Sequence, residues 1–299
     1  MVPVSKINIL LIYISMGNSA SNTNKTISNT NNTISNMNNT NKGLKRSLLI
    51  GINYFEDKNN KLLGCINDVK NMEKNLRKTN PECKEYKILT DDSTNHLLKP
   101  TRKNIIDSIN WLVKDLKSGE SVFFHYCGHG GLTLDRSGDE KSGYDSCIYP
   151  INNGVIETIT DDELKTIFVN KIPINCKAFV VLDCCHSGSA LDLRYIYSAP
   201  EYGKIMVTQD NNYPKTDGSV IFLSGCLDTQ TSADTVDSKN IPCGALTNAL
   251  IEVWTKYGIN IKFKYLLWDV RTFLKQKGYE QIPQLSCSNS VSLSDVFNL

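Results

Sequence analysis

Two short apolar runs, each closing on a glycine-flanked reactive side chain, constrain this chain more than any other feature. Ser121-Val-Phe-Phe-His-Tyr126 leads into Cys127-Gly-His129-Gly-Gly, and Ala178-Phe-Val-Val-Leu182 leads into Asp183-Cys-Cys185-His-Ser-Gly. Both runs are too short and too rich in Val and Phe for helices, and they read as buried strands. The glycines that follow allow the backbone to turn sharply at the strand ends. In an open parallel sheet, chemistry gathers beyond the C-terminal ends of the strands, so both side chains would project into one crevice. A thiol and an imidazole placed there make a nucleophile and its general base.

The remaining sequence reads as the rest of such a sheet. Strands are expected at residues 47–52, 86–89 and 220–224, and helices at 67–78, 245–257 and 264–277. Ile105, Ile109, Leu112 and Leu116 repeat at helical spacing within 101–116. Thr160-Asp-Asp-Glu163 is a capping box that opens a helix to about Val169. Strand–helix alternation implies an α/β fold, a mainly parallel central sheet with helices on both faces. The polar, acidic stretch 135–149 and the polar stretch 198–218 read as loops. Residues 1–42 are expected to be a disordered Asn/Ser/Thr-rich tail, because 17–42 are almost entirely Asn, Thr and Ser and carry too little apolar surface to offset the entropy of ordering. The folded domain is then 43–299, divided into 43–197, a linker loop 198–218, and 219–299.

Composition narrows the function. A net charge of +2 with no Lys/Arg block supplies no nucleic-acid footprint. Ten cysteines are scattered, several of them in expected core strands, in a chain long enough to bury a full core. That usage points to a reducing compartment and a cytoplasmic location. Residues 7–14 are apolar but far short of the ~20 needed to cross a bilayer. They read as a poor signal peptide or as an upstream extension that is not normally translated. Met16-Gly17-Asn-Ser-Ala-Ser21 fits the N-myristoylation pattern if translation starts at Met16. One acyl chain on Gly17 would give only weak, reversible membrane association.

Of the four histidines, His96 lies in a polar stretch and His125 inside the strand run, where a satisfied core histidine is the simpler reading. His186 adjoins the nucleophile and would point to the opposite face. Only His129 has the Gly-His-Gly setting that exposes an imidazole. Period-2 geometry puts Asp183 and Cys185 on one face and Cys184 on the other. An ionised Asp183 beside the thiol would raise the thiol pKa and oppose catalysis, unless a cationic substrate neutralises the carboxylate.

These motifs resemble the metacaspases, the caspase-like cysteine peptidases. The 56-residue spacing from His129 to Cys185 agrees with this, being close to the ~50 found in caspases. So do Leu62-Leu-Gly-Cys65-Ile-Asn-Asp68, Gly143-Tyr-Asp145, Ile148-Tyr-Pro150, Asp161-Asp162-Glu163, Ser187-Gly-Ser-Ala-Leu-Asp192, the block 224–234 and Gly244-Ala-Leu-Thr247. The resemblance covers roughly 44–299. It implies a monomeric endopeptidase of the type with a compact join between its two regions, cutting after Arg or Lys. It makes Cys185 the nucleophile and His129 the base, and carries the specificity pocket over to Cys65, Asp68, Cys127 and Asp183, with Asp192 among the substrate-binding residues. The chain departs at Cys127, where the family usually has Ser.

The resemblance also implies calcium activation through Asp145, Asp161 and Asp162. The loop 135–145 is no EF-hand, because its sixth position is Glu140 rather than Gly. Asp161 and Asp162 have an alternative duty in a helix's first turn, and Asp68 one as a helix cap. Self-cleavage after Lys204 or Lys215 would suit an exposed linker. The backbone N–H groups of Gly130 and Cys185 would be the oxyanion donors. Three rival readings remain: a caspase cutting after Asp, which would need a basic pocket, a metal module built on His125, Cys127 and His129, and an inactive scaffold, against which the retention of both His129 and Cys185 argues.

Overall fold

The computed structural model describes residues 9–10, 42–140, 142–185, 187–188, 190–201, 203–225, 234–237 and 240–297. The Gly17 pattern, nearly all of the tail, His186 and most of the block 224–234 lie outside the described residues.

In chain order the elements are β1 (Ile9–Leu10), β2 (Gly43–Gly51), α1 (Cys65–Thr79), β3 (Glu85–Thr90), α2 (Arg102–Val113) and β4 (Glu120–Cys127). Small strands β5 (Gly130–Leu134), β6 (Tyr144–Ile148), β7 (Ile151–Asn152), β8 (Val155–Ile156) and β9 (Ile159–Thr160) precede α3 (Asp161–Ile167) and β10 (Lys177–Asp183). The chain continues through β11 (Tyr195–Glu201), β12 (Lys204–Gln209), β13 (Ser219–Ser224), β14 (Asp234–Val236) and β15 (Pro242–Gly244). It closes with α4 (Ala245–Tyr257), α5 (Phe263–Gln276) and β16 (Gln284–Cys287).

One large sheet carries the strand order β1-β12-β11-β16-β13-β10-β4-β2-β3. Its β3, β2, β4, β10 and β13 are mutually parallel, as strand–helix alternation predicts. Beyond β13 the pairing turns antiparallel through β16, β11 and β12.

The stretch expected as a linker loop, 198–218, is corrected here, since most of β11 and all of β12 fall inside it. Tyr197, Ala199 and Ile205 are buried in the core, which gives the hairpin its apolar face. Its register slips between Ser198 and Glu201, around Pro200, which has no N–H to give the ladder. The acidic stretch 135–149 likewise ends in β6, which pairs with β5 and β9.

Alternation along the central strands splits the core into two layers. Val122, Phe124 and Tyr126 of β4, with Ala178, Val180 and Leu182 of β10, pack towards α2 and α3. Phe123, Phe179 and Val181 face α1, α4 and α5. The same period of two puts His125, Cys127 and Asp183 on this second face.

Candidate active site

β4 and β10 are adjacent and parallel, with Asp183 paired to Cys127. His129 and Cys185 each follow two residues later, so both leave the sheet at the same height on neighbouring strands. The backbones then nearly touch. A Cβ on Gly130 would lie 2.3 Å from the carbonyl oxygen of Cys185 and 2.9 Å from Cys184 Sγ, so only glycine fits. Cys184 is buried in the opposite layer, whereas Cys185 is partly exposed.

His129 is clamped by tyrosines that sequence reasoning did not single out. Its N–H donates to Tyr54 Oη at 2.9 Å, and Tyr126 Oη donates to its carbonyl at 2.7 Å. Tyr54 Oη in turn donates to the Tyr149 carbonyl at 2.8 Å, and the Tyr54 ring stands 4.6 Å from the imidazole. Tyr54 stands outside any motif and Tyr126 within a run that shows only its burial, so neither carries a signal for such a role. The imidazole Nε2 lies 2.6 Å from the Asn60 carbonyl oxygen. A carbonyl can only accept, so Nε2 holds the proton and Nδ1 offers its lone pair.

Four of the five residues expected in the pocket lie behind this pair. Ligand atoms of Asp68, Cys127 and Asp183 all fall within 4.8 Å of one another, and all three residues are buried. Cys65 is buried at the start of α1, and its sulfur is among the charges that push the Cys127 thiol up, after burial, Asp68 and Asp183. Asp68 is no cap of its own helix, since the N-cap is Gly64 without a side-chain bond. Its Oδ2 instead accepts the Gly244 N–H at 2.7 Å, and Asp183 Oδ2 accepts the Thr247 N–H at 2.8 Å. Both acids thus meet the start of α4, where the helix dipole favours negative charge. Gly244 permits the approach, because a Cβ there would sit 2.3 Å from Asp183 Oδ2.

His125 is the core histidine that the strand run suggests. It is fully buried, with Nε2 3.1 Å from both Cys127 Sγ and Thr247 Oγ1, and burial pulls its pKa down to about 3. It is neutral at any physiological pH. The imidazole of His129 is committed to Asn60 and Tyr54 rather than to a metal shared with His125 and Cys127.

Asp192 is the fifth expected pocket residue, and its place is corrected. Its carboxylate groups with Asp139 and Glu140, and Lys165 Nζ approaches it at 3.5 Å. The backbone at Asp192 is left-handed, with φ of 48°. Asp145 and Asp161 belong to the same region. Asp161 Oδ2 accepts the Ser146 N–H at 2.7 Å, and its Oδ1 accepts the Asp162 N–H at 3.0 Å. Crowding shows in the acidities. Burial, then Asp135 and Asp162, push Asp145 up to about 6. Burial, then Asp192, take Asp161 to about 8. Burial takes Asp192 to about 7 against the pull of Lys165. Oδ1 of Asp145 and Oδ1 of Asp192 are buried with no hydrogen-bond partner among the described residues. An all-oxygen set with two orphaned acceptors fits a hard divalent cation. Tyr213 closes the cluster from outside, its Oη donating to Glu140 at 2.7 Å and its ring 4.3 Å from Lys165 Nζ.

Comparison with known proteins points to one family. The family described as "Metacaspase, peptidase C14 domain" matches residues 45–194. The Metacaspase-1 of Meyerozyma guilliermondii is 38% identical over 291 residues, covering 83% of this chain and 70% of that protein. The Metacaspase-1 of Schizosaccharomyces pombe is 36% identical over 298 residues, covering 85% and 69%. A crystal structure of a Geobacter sulfurreducens protein superposes with a TM-score of 0.59 at 22% identity, over 85% of this chain and all of that one, which speaks for the fold. On the strength of the family match, the relatives and the shared sheet, the chain belongs to the metacaspases and is a cysteine-type peptidase.

Proposed function

We propose that the chain is an endopeptidase that cuts after Arg or Lys, is activated by calcium, and processes itself. The observation that carries the specificity is the buried group of Asp68 on α1 with Cys127 and Asp183, the paired ends of the two strands that lead to His129 and Cys185. Two carboxylates there suit a guanidinium or an ammonium, and the planar fork of Arg pairs best with them. A pocket for an Asp side chain would need the opposite charge.

The chemistry follows from the dyad. His129 Nδ1 takes the Cys185 thiol proton, and the thiolate adds to the scissile carbonyl. The backbone N–H groups of Gly130 and Cys185 would receive the oxyanion. The imidazolium returns its proton to the leaving amine as the C–N bond breaks, giving a thioester and the first product. Water, deprotonated by the same imidazole, attacks the thioester and releases the acid and the thiol. The Asn60 carbonyl holds the ring in one tautomer throughout.

Calcium would be held by Asp145, Asp161 and Asp162, joined by Asp192, supplying the charge that their crowding lacks. Self-processing is best placed after Lys215, which is exposed and outside any strand, rather than after Lys204, which begins β12. We place the enzyme in a reducing, cytoplasmic setting and as a monomer, in keeping with cysteines that are scattered along the chain and mostly buried. Acylation of Gly17 would add weak membrane association. The deciding experiment is hydrolysis of Arg-, Lys- and Asp-ended fluorogenic peptides, with calcium and with chelator. Equal rates on Asp- and Arg-ended peptides would refute the specificity, and equal rates in calcium and chelator would refute activation.

A further inference from the structure

We infer that the pocket of Asp68, Cys127 and Asp183 also takes a thiophilic divalent cation of the Zn2+ class, which then excludes the basic side chain of a substrate. The inference rests on the reading of this pocket as the site for Arg or Lys, and goes beyond it through Cys127. Two carboxylate groups and one thiol already bring their ligand atoms within 4.8 Å of one another. Around tetrahedral zinc such atoms stand roughly 3.3–3.8 Å apart, so a contraction of about 1 Å closes the site. A hydroxyl in place of Cys127 would be a poor ligand, whereas a thiolate selects soft or borderline ions over calcium and magnesium.

The surroundings are those of a built metal site. Asp68 is oriented by the Gly244 N–H and Asp183 by the Thr247 N–H. His125 supplies the third support. Its Nδ1 is buried without a hydrogen-bond partner among the described residues, while its Nε2 sits 3.1 Å from Cys127 Sγ. A buried N–H without an acceptor costs more than an idle lone pair, so the ring proton belongs on Nε2, which faces the sulfur and Thr247 Oγ1 at the same 3.1 Å. An N–H donor of this kind steadies a metal-bound thiolate. A groove of about 280 Å3 between α1 and α4 has Asp68 in its lining. Binding exchanges the Cys127 thiol proton for the metal, the proton leaves to solvent, and no oxidation state changes. Three protein ligands leave a fourth position for water.

The probe is Co2+ added to metal-stripped, full-length Cys185→Ala protein, in which the dyad thiol is absent. A thiolate-to-cobalt charge-transfer band is expected, displaced by Zn2+, lost in Cys185→Ala/Cys127→Ser, and retained in Cys185→Ala/Cys243→Ser. With wild-type enzyme, Zn2+ should raise the KM for an Arg-ended peptide, whereas an ion on the dyad would lower kcat. A band that survives Cys127→Ser, or no band in a folded Cys185→Ala protein, overturns the inference. No band beside a clear Arg preference sinks the metal site alone. A Cys127-dependent band beside no Arg or Lys preference sinks the substrate reading and leaves the metal site standing.

Discussion

The imidazole of His129 can serve as a base through only one of its nitrogens, because the Asn60 carbonyl claims the other. Cys185→Ala should lower turnover by at least ~10^3-fold, as loss of a nucleophile does elsewhere. Cys184→Ser should leave most of it, since that thiol is buried in the opposite layer. If Cys184→Ser is the inactive variant and Cys185→Ala still turns over, the assignment is reversed. Asp183→Asn removes a charge but keeps a hydrogen-bonding group. It should cost roughly 10- to 100-fold in kcat/KM on Arg-ended peptides, the worth of about 1.5–3 kcal/mol in a charge-assisted bond. Measuring both parameters on an uncharged control peptide separates lost selectivity from lost fold. At this scale the reactive residues were legible because each ends an apolar run in an unusual glycine setting. Tyr54 and Asn60 were not legible, since Asn60 acts through its backbone and Tyr54 through contacts 75 and 95 residues away in sequence. Asp192 was misplaced for a related reason, as motif adjacency to the nucleophile says nothing about where the joining chain leads, and its carboxylate meets Asp139 and Glu140 instead.

Elements with strong internal periodicity declared themselves, and the parallel half of the sheet with its helices followed from sequence. The antiparallel half did not. β11 and β12 carry tyrosine, serine, lysine and a proline, and their burial depends on α5 and β16, which come much later in the chain. β16 is four residues long and hemmed by polar side chains, so no pattern marks it. The meeting of β4 and β10 yields a sharp test at Gly130. Gly130→Ala would push a methyl to within 2.3 Å of the Cys185 carbonyl and should inactivate the enzyme by displacing the nucleophile. Circular dichroism should show the sheet retained. A fully active Gly130→Ala enzyme would mean that the two strand ends do not approach as closely as described.

Across the whole molecule, the acidic cluster makes stability a function of pH, and the proposed calcium would make it a function of that ion as well. The folded-state pKa values of Asp145, Asp192 and Asp161, about 6, 7 and 8, lie above the ordinary aspartate value. The folded chain therefore binds more protons there than the unfolded chain. The cluster's contribution is fully present below about pH 4 and is lost as pH rises through these values. A bound cation offsets that loss. The rise in Tm on adding calcium should thus grow from about pH 5 to about pH 8, a difference in which the opposite titration of buried His125 cancels. A calcium increment that is flat across this range would count against the cluster as the binding site.

The position of Lys215 has a further consequence for what a cut would mean. Upstream of it lie β10, β11 and β12, and downstream lie β13 and β16. In the sheet these alternate by origin, with β13 and β16 inserted between β10 on one side and β11 on the other. The two halves would be woven through each other. A nick there would break one covalent bond while leaving every ladder in place, and Tyr213 would stay on the upstream half, fastened to Glu140. Cleaved enzyme should run as two bands on a denaturing gel and as one particle on a sizing column. Once the halves are pulled apart by denaturant, each would hold a sheet with its middle or its flank missing, so the wound would be harmless only for as long as the molecule is never unfolded.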